Sequence, residues 1–356
     1  MVHVAEAALA NSPRAITSVR NPRSAGGAHD FSSEGDYWWP DPEKPDGPYI
    51  RRDGETNPAN FTVHRSLMFA MARDVGALAA AWDLTHDERF AVAAVRHLRV
   101  WFLDAETRMN PHLLYAQAIQ GVATGRGIGI IDTIHLAEVA LGIEALRGSP
   151  ALTAADDAAL TAWFRDYLSW MRHHDYGVAE SKEPNNHGTC WTLQAAAFAR
   201  LAGDREVLAL CRERFVGEVL ARQMAADGSF PRELARTKPY GYSIFNLDVT
   251  AGLAAVLSTP RENLLAHRLA DGRGLVRGVE FLAPFLADKS RWPKAPDVMY
   301  WNDWPIRQPA LLFGALASGN REWLALWQRL PADSSVEEVQ RNFPVRFPTL
   351  WLRHLQ

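Results

Sequence analysis

Two short stretches of this 356-residue chain, far apart in sequence, hold its most reactive set of side chains. Asn185, Asn186, His187 and Gly188 stand directly before a helical run, and Arg236 and Tyr242 flank a Pro/Gly turn before another. One asparagine at such a place is explained by capping, because its side chain satisfies a backbone N–H at the start of the helix. Capping does not explain two adjacent amides followed by histidine and glycine. An arginine and a tyrosine at a loop are individually commonplace. With Asn-Asn-His they complete a set of neutral donors, an imidazole, a fixed cation and a phenol, which has a specific chemical use.

Two further loops add recognition chemistry. The first runs Asp36-Tyr37-Trp38-Trp39-Pro40-Asp41-Pro42 and continues through Pro48 to Arg51, Arg52 and Asp53. It reads equally as a capping loop whose Trp38 or Trp39 plugs the core, or as an aromatic and cationic wall for an acidic sugar. The second holds Asn110, His112, Tyr115 and Gln117, neutral hydrogen-bonding groups of the kind that hold sugar hydroxyls, and leads into Gly125-Arg126-Gly127-Ile128-Gly129. Those glycines are spaced GxGxG rather than GxGxxG and follow no strand, so a dinucleotide cofactor is not expected. No HExxH occurs, and His187 has no second ligand at metal-binding spacing, so neither a metal nor another cofactor is expected.

Helices must position these loops. Leu160, Trp163, Phe164, Tyr167, Leu168 and Met171 recur at helical spacing, as do Phe90, Ala94, Leu98, Trp101 and Phe102, and more weakly Leu208, Cys211, Phe215 and Val219. Further helices are expected at about 60–83, 130–147, 187–202, 242–258, 273–288, 307–318 and 320–330. No convincing run of strands is found. Helical hairpins with long polar loops predict an all-α chain, an α/α toroid forming one catalytic domain over 1–356, with the loop 21–58 contributing to a cleft. A helical bundle of another topology is the alternative.

Composition bounds the partners. There are 38 basic and 41 acidic side chains and a formal charge of −3, which argues against a nucleic-acid binder relying on phosphate neutralisation. No stretch is apolar for long enough to span a bilayer. Cys190 and Cys211, the only cysteines, belong to no CxxC pair and read as buried thiols. The N-terminus lacks the basic start and apolar core of a signal peptide. The expectation is a cytoplasmic protein, or a periplasmic or secreted one if a leader was removed. Thirteen tryptophans stand out. Trp101 and Trp163 fall on helical core faces, whereas Trp38 and Trp39 lie in a loop.

Taken together, DYWWPDP, IRRDG, TRMNP, YAQAIQG, GRGIGIID, NNHG and DGSFPRELART followed by YSIFNL resemble the alginate-lyase superfamily of polysaccharide lyases, which are α/α toroids. The resemblance runs from about Asn21 to about Val256 and is less clear beyond. It implies a site of Asn186, His187, Arg236 and Tyr242 and an acidic polysaccharide or oligosaccharide as substrate. Tyr242 is preferred to Tyr240 because it leads directly into the helical SIFNL; Tyr240 is kept as a substrate-binding candidate with Trp38, Trp39, Arg51, Arg52, Asn110, His112, Tyr115, Gln117 and Arg126. Where the classical alginate lyases carry an aromatic residue soon after the histidine, this chain has Gly188-Thr189-Cys190 before Trp191.

The implied reaction is β-elimination. Cleaving a 4-linked uronide without water removes the C5 proton, beside a carboxylate, and expels O4. Donors must offset the charge that develops on the enolate-like transition state, which suits Asn186, His187 and Arg236. A tyrosine, with a reference pKa of about 10, serves as base only when a neighbouring cation stabilises its phenolate. In D-mannuronate and D-glucuronate the C5 hydrogen and O4 share one face, so a single Tyr242 can take one proton and return it. In L-guluronate they do not, and His187 becomes the candidate base. Two competing expectations remain. One is a glycoside hydrolase using two carboxylates from Asp36, Asp41, Asp132, Glu180, Asp227 and Glu233; the other is a non-catalytic uronide-binding protein.

Overall fold

The structure, a computed structural model, describes residues 2–355. Its contacts group into two compact units, one of 2–181 with Ala197–Asp204, the other of Lys182–Ala196 with 205–355. The first unit holds helices α1 (Val2–Ala8), α2 (Val63–Thr85), α3 (Glu88–Phe102), α4 (Leu136–Leu146), α5 (Ala154–His173), α6 (Asp175–Ser181) and the last turns of α7 (Asn186–Ala202). The second holds the first turns of α7, then α8 (Arg205–Arg214), α9 (Pro231–Leu234), α10 (Pro239–Leu257), α11 (Leu275–Ala287), α12 (Pro309–Ser318), α13 (Arg321–Arg329), α14 (Glu337–Arg341) and α15 (Pro348–Leu352).

Local chemistry explains the helix ends. Asp87 accepts a hydrogen bond from the Arg89 amide and starts α3, and Thr153 accepts one from the Asp156 amide and starts α5. Gly203, at φ +70°, takes the left-handed conformation that ends α7 before α8 begins. The amphipathic stripes pack as their spacing predicts. In the first unit Phe102 meets Trp163 at 4.6 Å between ring centroids and Phe164 at 5.4 Å, and Phe164 meets Phe198 at 5.1 Å. Trp101 is fully buried, and the Trp163 indole donates to the Met109 carbonyl at 2.7 Å. Cys190 and Cys211 are both buried, as expected.

Four short strands accompany the helices. β1 (Ser32–Glu34) pairs in parallel with β4 (Tyr115–Ala118), and β2 (Trp38–Trp39) pairs antiparallel with β3 (Ile50–Arg51). They are two to four residues long, too short for alternation to reveal them in the sequence. Beside them lies a buried ionic knot. Arg65 on α2 makes two bonds to the Asp36 carboxylate, at 2.7 and 3.0 Å, and approaches Asp132 at 3.5 Å. Asp132 also accepts from the Ser33 hydroxyl at 2.5 Å and from the Gln117 amide at 2.9 Å. One cation thereby ties the Trp38–Trp39 loop, β4 and the 127–133 turn to α2. Among the described residues no helix is long and apolar enough to cross a membrane.

Replacing Arg65 with methionine is expected to destabilise the first unit by about 3–5 kcal/mol, since two carboxylates would remain buried without their cation. Thermal or urea denaturation of the variant checks this; a loss below about 1 kcal/mol would mean that the knot does not hold the loop.

Candidate active site

The second unit carries Asn186 and His187 at the start of α7, Arg236 in the turn between α9 and α10, and Tyr242 in the first turn of α10. Asn185 accepts a hydrogen bond from the His187 amide at 3.0 Å and serves as the cap of α7. Asn186 does something else. Its main-chain N–H donates to one oxygen of the Glu233 carboxylate and its side-chain amide to the other, both at 2.7 Å. Asn246 on α10 adds a donor to Glu233 at 3.3 Å. Glu233 is fully buried; burial pushes its carboxyl up, against the bonds from Asn186 and the charges of Arg236 and His187. The doubled asparagine thus divides its work: one residue caps the helix and the next is locked onto a buried acid.

Gly188 has a separate reason to be glycine, because a Cβ there would lie 2.1 Å from the Glu183 carbonyl oxygen. A π-helical segment, Phe215–Gln223, continues α8 and delivers Gln223, whose side-chain oxygen accepts from Thr189 at 3.1 Å and Asn246 at 3.3 Å. Trp191, the aromatic after His187, is buried with the Arg214 guanidinium 5.1 Å from its ring centroid.

Arg236 and Tyr242 are both half-buried and in contact. The guanidinium carbon lies 4.4 Å from the phenol ring centroid, and Nη2 donates to the Tyr242 hydroxyl at 3.4 Å. A second cation faces the same ring: Lys238 Nζ is 5.3 Å from the centroid. Lys238 is buried and donates to Glu338 at 2.7 Å, and Glu338 also binds Arg341. Asp297 caps the start of α10 by accepting from the Tyr240 and Gly241 amides at 2.9 and 2.8 Å.

Tyr240 is a correction to the set read from sequence. It is fully buried, its ring packs on Trp292 and Trp301, and its hydroxyl donates to the Phe285 carbonyl at 3.0 Å. Burial pushes its phenol far up, so it neither meets a substrate nor supplies a base. Two positions later on α10, Tyr242 turns to the other side of the helix.

The remaining candidates lie in the first unit. Trp38 and Trp39 are half-buried on the β2–β3 ribbon, with Arg126 5.7 Å over Trp38 and Arg52 5.1 Å over Trp39. Arg51 is exposed and pairs with Asp53. Burial lowers Arg126 to about 10, with Asp132 opposing, which leaves it a cation at neutral pH. Tyr115 is half-buried on β4. Asn110 donates to Asp30 at 2.7 Å, and His112 lies 3.3 Å from that carboxylate, its imidazole held below its usual range chiefly by burial. Gln117 is the second correction: it is buried at φ +52°, its amide donates to Asp132, and its carbonyl accepts from Arg126. It shapes the loop and is not available to sugar hydroxyls.

Of the six carboxylates considered for a hydrolase, Glu180 is buried at 2% exposure and the other five are engaged elsewhere. Asp36 and Asp132 bind Arg65, Glu233 binds Asn186, and Asp41 and Asp227 cap turns through the Glu43 and Ser229 amides. Among the described residues no group of three or more His, Cys, Asp or Glu is placed to hold a metal ion. Sequence reasoning missed Lys238, Glu338 and Asp297, and counted Glu233 only as a hydrolase acid. No local signal marks Glu338, which pairs with a lysine 100 residues away.

Comparison with known proteins places the fold and the chain. The alginate lyase family model matches residues 15–292. An alginate lyase from Bacteroides ovatus is 30% identical, covering 96% of this chain and 91% of that one, with a TM-score of 0.81. Alginate lyase A1-III from Sphingomonas species A1 is 14% identical with a TM-score of 0.58, covering 99% of this chain and 90% of that one. A histidine-to-alanine form of A1-III complexed with a tetrasaccharide has the same identity and TM-score, covering 86% and 78%. Comparison with curated protein sequences gives no match. The fold is of the all-α, α/α-toroid class expected from sequence, and the protein is a polysaccharide lyase. It belongs to the alginate lyase family.

Glu338 predicts a pH effect. Burial pushes its carboxyl up, but Arg341 and then Lys238 outweigh that and hold it far below its ordinary value of 4.5. Its ion pairs therefore stabilise the fold above about pH 4.5, and that contribution is lost as pH falls through the depressed folded-state value. Glu338→Gln is expected to cost about 3–5 kcal/mol at neutral pH. The gap in melting temperature from the parent should narrow as pH falls below 4.5; a gap constant down to strongly acidic pH would contradict the ion-pair assignment.

Proposed function

We propose that the protein cleaves a 4-linked polyuronate, either the mannuronate of alginate or glucuronan, by β-elimination with Tyr242 as both base and acid. The observation that carries this reading is the contact of the Arg236 guanidinium with the Tyr242 hydroxyl and ring. A fixed cation beside a phenol favours the phenolate and lets tyrosine remove a weakly acidic proton. The 30% identical Bacteroides ovatus protein is an alginate lyase, which supports alginate as the polymer.

In the proposed reaction the Tyr242 phenolate takes the proton from C5. The electron pair forms the C4–C5 double bond as the C4–O4 bond breaks, and the phenol returns its proton to O4. His187 and Arg236 face the substrate carboxylate and offset the charge built up on it, and Asn186, itself 2% exposed, adds the amide hydrogen that Glu233 leaves unused. The buried Glu233 fixes the Asn186 amide, so this donor need not reorganise as charge develops. Trp38, Trp39, Arg51, Arg52 and Arg126 are proposed to bind the acidic sugars of the polymer, apolar ring faces to tryptophan and carboxylates to arginine. One catalytic domain, 1–356, carries this reaction.

Tyr242→Phe is expected to reduce turnover by about 10²–10⁴-fold. His187→Ala and Arg236→Ala should each reduce it by about 10²–10³-fold. The readout is the absorbance of the unsaturated uronide product, with circular dichroism confirming the fold. Near-parental rates in folded Tyr242→Phe would place the base elsewhere.

A further inference from the structure

We propose that Lys238, held by the Glu338–Arg341 pair of α14, is a positioning residue that sets the ionisation of Tyr242 and with it the pH range of the lyase reaction. This rests on the reading of Tyr242 as base and extends it to the C-terminal segment, beyond the residues matched by the alginate lyase family.

The geometry is that of a cation built into place. Lys238 immediately precedes α10, and its Nζ lies 5.3 Å from the Tyr242 ring centroid and 5.3 Å from that of Tyr300. It is 4% exposed, too buried for water to screen its charge from the phenol. A lysine so enclosed would ordinarily shed its proton. Here burial does push it down, but Glu338 and Tyr242 reverse that, and the net direction is upward. Glu338 is itself buried and shared with Arg341, so the anion that keeps Lys238 charged is held from its far side.

The other charges around this pair come from every element packed against it. Arg236, from the turn before α10, lies over the Tyr242 ring. Asp297, from the loop after α11, caps α10 and interacts with Lys238. Glu233 on α9 and His187 on α7 interact with each other, and Glu233 with Arg236. Glu338 and Arg341 come from α14. Two cations contact the phenol ring, and the acids are bound to backbone amides, to Asn186 or to Lys238 and Arg341. A second cation makes proton loss from Tyr242 easier, by reciprocity with the raised affinity of Lys238 for its own proton.

The test is the pH dependence of kcat/KM on alginate for the full chain carrying Lys238→Gln, Lys238→Met or Lys238→Arg. Glu338 keeps Arg341 in every variant, so no carboxylate is orphaned, and circular dichroism identifies whichever neutral variant folds. A folded neutral variant should move the ascending limb about one unit to higher pH, a loss of roughly tenfold below the limb and little loss on the plateau. Lys238→Arg should restore the parental limb. A neutral variant that lowers melting temperature or kcat but leaves the limb unmoved would show that Lys238 only ties α14 to α10. If Tyr242→Phe is inactive and the limb is unmoved, the inference about Lys238 fails alone; if Tyr242→Phe stays active, the base assignment beneath it fails.

Discussion

An acid group taken out of water is costly unless hydrogen-bonding partners meet it there. Glu233, with no exposure, is met by the main-chain and side-chain amides of Asn186, by Asn246, and by the fields of Arg236 and His187. Satisfying that one acid fixes the start of α7, the face of α10 and the turn that carries Arg236. The residues proposed to carry the reaction are therefore oriented by a requirement of folding, before any substrate arrives. Such preorganisation is what makes donors effective at a transition state that gathers negative charge.

The same device recurs with other residues. In the first unit Arg65 gathers Asp36 and Asp132, and the ribbon of Trp38 and Trp39 hangs from that knot. Near Tyr242, Glu338 gathers Lys238 and Arg341. In a chain with a formal charge of −3, Arg65 and Lys238 are cations held in place by buried acids. Net charge described the surface as a whole and said nothing of this local arrangement.

The helices were legible because burying one face imposes a period: the stripes through Trp101 and Trp163 predicted two helices with core faces, and the structure packs those faces together at Phe102 and Trp163. The site was legible where a local oddity remained after its structural explanation, as with Asn186 beside an Asn185 that caps. Tyr240 and Gln117 were misread because burial is set by distant packing, from Trp292 and Trp301 for the first and Asp132 for the second. The short strands carry too few residues to show a period. Glu233 and Glu338 act on partners 47 and 100 positions away, and no local spacing encodes such pairings.

In the proposed reaction one phenol serves both proton transfers from one face of the sugar ring. Initial rates on purified poly-mannuronate and poly-guluronate, matched in length and salt, test it most directly. Cleavage of poly-mannuronate should be far faster than of poly-guluronate, whose C5 proton and O4 lie on opposite faces. Equal or faster cleavage of poly-guluronate would contradict it and move the base to another residue.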